Sequence, residues 1–276
     1  MRLLIIGAHP DDADYAAGGT AAWYRRSGHD VLMVSMTNGD AGHHQSAGAP
    51  LAQRRLGEAN AAAAVIGATY RILDNHDGFL EPTIANRLSV IRLLRSYRPD
   101  LVLTHRPNDY HPDHRYTSQL VQDAAYMVTV PAIAPDTPHL SANPVIAYLP
   151  DEFQKPYPFS PAVAVDVGPV IENVIDMLCS HVSQFFEWLP YNVGVLEQVP
   201  PTERERREWL GRQTKERLAR QAERFRPLLI AQYGPQAGAA IQYAEAFEPC
   251  EYGAPLDAAA TRRLFPFAFA KGEPRT

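Results

Sequence analysis

Short unbroken apolar runs alternate along this chain with longer amphipathic stretches. Leu3–Gly7, Val31–Met36, Tyr70–Leu73 and Leu101–Thr104 read as strands buried on both faces. Between them lie segments with helical spacing. One covers 13–27, with Arg25 and Arg26 in its last turn and Gly28 as its stop. Another, 51–66, is rich in alanine and ends at Gly67. A third, 84–97, closes ahead of Pro99, and 115–127 follows the fourth strand. Strand and helix in alternation predict parallel βαβ units with right-handed crossovers. The expected fold class is α/β: a Rossmann-like parallel sheet with helices on both faces and a C-terminal helical and loop extension.

The pattern changes after residue 130. Proline recurs from Pro131 to Pro161. Residues 145–149 and 162–167 are apolar enough for strands, and the surrounding prolines predict edge strands or loops. A long helix is expected over 170–188 and another over 202–233, the second opened by the capping box Thr202-x-x-Glu205.

Composition narrows the function classes. The 276 residues, 46% hydrophobic and 21% charged, are ordinary for a globular protein. A net charge of −5 does not advertise a nucleic-acid partner, and the mixed charges of Glu203–Arg226 read as a solvated helix face. Cys179 and Cys250 make neither a disulfide framework nor a CxxC metal site. The first apolar run is too short for a signal peptide, and no stretch approaches a membrane span. The expectation is a cytoplasmic protein.

Two short stretches then carry the chemistry. His9-Pro10-Asp11-Asp12 follows the first strand, and His111-Pro112-Asp113-His114 follows the fourth. Imidazole and carboxylate are the donors that hold a catalytic zinc with one position left open. His9 and Asp12 stand one turn apart at a helix start, so both can face one ion, while Asp11 faces elsewhere and can hold a water. Of His111 and His114, one can ligate while the other stands over the open position. Asp113 can orient an imidazole through its second nitrogen. His105 ends a strand and reads as a buried, hydrogen-bonded residue. The absence of GxGxxG argues against a dinucleotide site. Gly18-Gly19 inside a helix costs about 1 kcal/mol each, which a close approach to the sheet would offset.

HPDDADYAAGGT, the later HPDH, and Arg55-x-x-Glu58 on an alanine-rich helix ending in Gly67 resemble the LmbE/PIG-L deacetylases. The likeness covers the first 120 residues and continues weakly through His181-x-Ser183-Gln184 and Tyr243–Phe247. It implies zinc-dependent removal of an acetyl group from N-acetylglucosamine units. It implies His9, Asp12 and His114 as zinc ligands and Asp11 as general base. His111 would stabilise the oxyanion or protonate the leaving amine, and Asp113 would support an active-site histidine. Arg55 and Asp77 match positions that face the sugar, although Arg55 also reads as a surface residue. Asp14 and Asp40 stand where the family has glutamate. His43 and His44 lie outside the pattern and read as a solvated loop, with a second weak metal site as the alternative.

The expected organisation is one domain over 1–276, with a metal-site core in 1–130 and substrate-side loops and extension in 131–276. The stretch 131–161 is expected to rim the mouth of the site. The expected partner is a small amino-sugar substrate, with no nucleic acid and no membrane span. Phe185, Phe186 and Trp188 read as core or as a contact within a homo-oligomer, with a wall of a substrate pocket as the alternative. The alternatives are a deacylase of a non-sugar amide and a metal- or sugar-binding protein without turnover.

Overall fold

The computed structural model describes residues 1–269. Its strands are β1 (Arg2–Gly7), β2 (Asp30–Ser35), β3 (Thr69–Ile72), β4 (Leu101–Thr104), β5 (Val145–Tyr148), β6 (Val163–Asp166) and β7 (Ala244–Pro249). The helices in the first half are α1 (Asp12–Arg26), α2 (Ala49–Ile66), α3 (Ile84–Tyr97) and α4 (Pro112–Met127). Those in the second half are α5 (Ile171–Ser180), α6 (Leu189–Asn192), α7 (Glu203–Arg224), α8 (Arg226–Tyr233), α9 (Pro235–Ala240) and α10 (Ala258–Leu264). A π-helical turn over Gln184–Trp188 runs into α6.

One sheet has the order β3-β2-β1-β4-β5-β7-β6. The first five strands in that order are parallel, with Leu3 opposite both Val31 and Leu101. The unbroken apolar run of β1 is explained by burial on both sides. Leu3 and Ile5 join a core with α1, α2 and α5, while Leu4 and Ile6 join one with α3 and α4. The order reverses between β1 and β4. In such sheets ligands bind beyond the carboxyl ends of the strands at this switch point. Both histidine–aspartate loops leave the sheet there.

The second half departs from the expected pattern in four places. β7 enters antiparallel to both β5 and β6, so the sheet is mixed. β5 is a central strand, not an edge, because Pro144 and Pro150 flank its ladder without entering it. The helix expected over 170–188 stops at Ser180, where His181 leaves helical geometry. The helix expected over 202–233 breaks at Phe225, since Pro227 in the first turn of α8 has no amide to continue the ladder. The Thr202 cap does form, its hydroxyl accepting from the Glu205 amide at 3.3 Å.

The proline-rich stretch is divided between the two ends of the sheet. α4 runs back from the site, so 131–144 lies at the amino ends of the strands. There Leu140 donates to the Val128 carbonyl and Val145 to that of Asp100. This part cannot rim the metal loops, contrary to expectation. Only the segment after β5 returns to their end, where Arg106 binds the Asp151 carboxylate at 2.7 Å and the Tyr157 carbonyl at 2.8 Å.

The paired glycines of α1 have a packing reason at Gly19. A Cβ there would meet Val167 at 2.4 Å. α1 kinks at Ala17, and the amides opening its second part, Gly19 and Thr20, donate to the buried Glu245 carboxylate of β7 at 2.7 and 2.8 Å. Among the described residues, no helix is long and apolar enough to cross a membrane.

Candidate active site

The turn after β1 is tight. The Asp11 amide donates to the His9 carbonyl at 2.8 Å. Asp12 folds back so that Oδ2 accepts the amides of Ala8 and His9 at 2.8 and 2.7 Å. A Cβ on Gly7 would lie 2.6 Å from that of Asp12, so the fold-back requires glycine. The Asp12 carboxylate is therefore fixed against the turn that carries His9.

The turn after β4 is held by Asp109. Its Oδ1 accepts the His111 amide at 2.9 Å, and its Oδ2 lies 3.1 Å from His114 Nδ1. His111 caps α4, its Nδ1 accepting the Asp113 amide at 3.2 Å. The neutral ring therefore carries its proton on Nε2. Asp113 is fully buried and accepts from the Gly78 and Leu80 amides at 2.7 and 3.3 Å.

These two turns bring His9, Asp12 and His114 together. His9 Nδ1 is 3.2 Å from His114 Nε2, and the Asp12 oxygens lie 3.6 Å from each imidazole. Donors about 2.0–2.1 Å from a tetrahedral zinc stand about 3.3–3.4 Å apart, so the three fit one ion. Their far sides fit as well. His9 Nε2 faces Asp77 and Asp113, each at 3.3 Å, and His114 Nδ1 faces Asp109. Metal-bound histidines ordinarily present their second nitrogen to a carboxylate in this way. A second grouping, His9 with Asp77, His111 and Asp113, would use that outer nitrogen instead. Both Asp113 oxygens accept an amide, whereas the two amides on Asp12 share Oδ2 and leave Oδ1 facing His114 at 3.6 Å, which favours the first grouping.

The electrostatics suit a cation. Burial would lower the His9 pKa, but Asp113, Asp12 and Asp77 outweigh it and hold it well above the usual histidine range. His114 is also raised, with Asp12 and Asp109 overcoming burial. Burial would raise Asp12, yet His114 and His105 keep it well below the usual carboxylate range. His111 shifts the other way, lowered by burial and then by the charges on His9 and His114.

The surrounding residues divide into those whose role is local and those that brace the site from behind. His105 is buried, stacks on His114 with centroids 4.0 Å apart, and lies 3.1 Å from Asp12. Arg55 is 2% exposed and therefore not a surface residue. It reaches Asp11 at 3.3 Å and Asp77 at 3.4 Å, joining the loop after β1 to the loop after β3. Asp40 receives the Asp77 amide at 3.0 Å. Asp14 pairs with His181 at 3.0 Å, both fully buried. Ser183 donates its amide and hydroxyl to Glu58 at 2.9 and 2.6 Å.

His43 corrects the reading of a solvated loop. It faces Glu187 at 2.9 Å and accepts the amides of Gln45 and Ser46, so its ring is 3% exposed. His44 stacks on Tyr191. Neither belongs to a metal-donor cluster among the described residues. The residue whose role went unread in the sequence is Asp109, where the signal was its position five residues before His114 on the same loop.

An α/β sheet with two imidazoles and a carboxylate converging at its switch point presents a candidate metal site where such sheets bind their ligands. Residues 4–125 match the family described as PIG-L, GlcNAc-PI de-N-acetylase. A diacetylchitobiose deacetylase of Thermococcus kodakarensis is 32% identical over 207 residues, covering 69% of this chain and 74% of that protein. A 4-oxalmesaconate hydratase of Pseudomonas putida is 29% identical over 160 residues, 54% of this chain and 61% of that protein. The solved N,N'-diacetylchitobiose deacetylase of Pyrococcus horikoshii shares the fold with a TM-score of 0.69 at 22% identity, over 91% of this chain and 84% of that one. The chain belongs to the PIG-L family, the LmbE-like de-N-acetylases.

Proposed function

We propose that this chain is a zinc-dependent deacetylase that hydrolyses the N-acetyl group of an N-acetylglucosamine unit or its conjugate. The observation that carries the reading is the His9, Asp12 and His114 cluster with carboxylates on its outer nitrogens. The deacetylase relative, 32% identical over 207 residues, supports the reaction class.

A bound divalent ion would supply Lewis acidity, lowering the pKa of a water and polarising the amide carbonyl. The chain supplies the rest. Asp11, fixed by Arg55, accepts the proton of the attacking water. His111, with Nδ1 committed to the Asp113 amide, donates Nε2–H to the developing oxyanion. Asp11 then returns its proton to the departing amine. Arg55 and Asp77 are assigned to the sugar side; both are buried, Arg55 against Asp11, Asp77 and the Gly39 carbonyl, and Asp77 against Arg55 and His9.

His111→Ala is expected to keep the metal and lose about 10²–10⁴-fold in rate, measured as acetate release. Equal rates would remove the oxyanion role. Asp109→Asn should weaken zinc binding about 10–100-fold, because His114 loses the carboxylate that fixes its tautomer. A zinc titration by calorimetry reads this directly.

The hydratase relative motivates a second reading, since the same site could direct water at an unsaturated acid. Zinc-loaded protein incubated with N-acetylglucosamine, diacetylchitobiose and 4-oxalmesaconate separates the two. Acetate from either sugar is the expected result. Hydration of the acid with no acetate would overturn the deacetylase reading.

A further inference from the structure

A groove of about 400 Å³ lies beside the site and takes no part in the steps above. Its walls include Phe185, Leu189, Val193 and Trp209, together with Tyr15. Two links join it to the catalytic loops. The Tyr15 amide donates to the Asp11 carbonyl at 2.9 Å, one helical turn away, where side chains on one face stand about 5–6 Å apart. Phe185 follows Gln184, whose amide group binds the Gly42 carbonyl at 3.0 Å, and a Cβ on Gly42 would sit 3.1 Å from Arg55 and from Asp77.

Tyr15 is held ready. Its ring stacks on Phe185 with centroids 6.2 Å apart, and the Arg217 guanidinium lies 3.9 Å over it. Yet Tyr15 remains 44% exposed, and Leu189 and Val193 beside it are 39% and 69% exposed. Apolar side chains left open around a concavity mark a binding surface. The groove is also electropositive. Arg217 and Arg220 line it against one acid, Glu216, and neither arginine forms an ion pair among the described residues. Arg217 Nη2 is buried with no acceptor.

We propose that this groove is the carrier subsite: it binds the part of the substrate beyond the N-acetylated sugar, an apolar aryl or alkyl group bearing one carboxylate or phosphate. The proposal rests on the reading that the neighbouring site acts on an amino-sugar conjugate. The apolar walls supply burial, and the two arginines, neither of them in an ion pair among the described residues, select the anion.

The test uses ligands without an amide, so that it is independent of turnover. Calorimetry on the whole zinc-loaded chain compares phenyl glucoside, 4-carboxyphenyl glucoside and 4-phosphophenyl glucoside. The charged pair should bind about tenfold more tightly than phenyl glucoside, and their order names the preferred anion. Arg220→Glu, at an exposed position, should abolish that advantage, and Val193→Asp should weaken all three ligands about tenfold. Equal binding of the three by the native chain, or an unchanged ranking in Arg220→Glu, overturns the subsite. A dimer in sedimentation that Val193→Asp disperses would assign this face to a second copy and overturn it too. Acetate release from N-acetylglucosamine is measured separately, so either reading can fail alone.

Discussion

Asp11→Asn should retain one zinc per chain and lose about 10²–10⁴-fold in acetate release. Asparagine keeps the size of the side chain but cannot take a proton. The metal should stay because Asp11 is outside the cluster of His9, Asp12 and His114. The fold should stay because Arg55, deprived of one carboxylate, keeps Asp77 at 3.4 Å and the Gly39 carbonyl at 3.3 Å. Elemental analysis and a coupled acetate assay on the same sample read both halves. Near-native turnover would sink the general-base assignment, and loss of metal would place Asp11 among the ligands.

The second large effect lies at the other end of the sheet and concerns stability. Arg95 of α3 is 1% exposed and has no carboxylate partner among the described residues. Its guanidinium instead donates to six carbonyls, those of Met127, Val128, Val130, Ile133, Ala134 and Thr137. It thereby satisfies the end of α4 and the turn that follows. Arg95→Leu keeps the apolar stem and strands those carbonyls without donors. The expected cost is about 3–5 kcal/mol, and each kcal/mol lowers the melting temperature by roughly 2–4 °C in a domain of about this size. Zinc affinity should not change, because 127–137 lies at the amino ends of the strands. A melting temperature within 2 °C of the native chain would show that water replaces the guanidinium.

The first half of the molecule was legible in the sequence because its signals are local. A buried parallel strand needs an unbroken apolar run, and β1 and β4 have one. His9 and Asp12 are close in sequence and meet within one turn. The signals failed where the answer depends on distant partners. Nothing near β7 says that it will enter antiparallel between β5 and β6. The prolines around β5 suggested an edge, since flanking a ladder and interrupting it look alike until register is known. Arg55 on its alanine-rich helix looked like a surface residue because Asp11 and Asp77, which draw it inward, lie 44 and 22 residues away. The end of α5 likewise depends on Asp14, 167 residues from His181.

That last pair bears on whether the catalytic half could stand by itself. The family match ends at residue 125, but the supports of its first two helices come from later in the chain. Asp14 leans on His181, Glu58 on Ser183, and the kink of α1 on Glu245. Cutting after α4 would leave the carboxylates of Asp14 and Glu58 without these counterparts and α1 without its anchor at Gly19, about two turns from the candidate metal donor Asp12. The two halves of the chain thus share the supports of the first two helices. A change of specificity in the later half has to leave His181, Ser183 and Glu245 in place, which confines such variation to the surfaces between them.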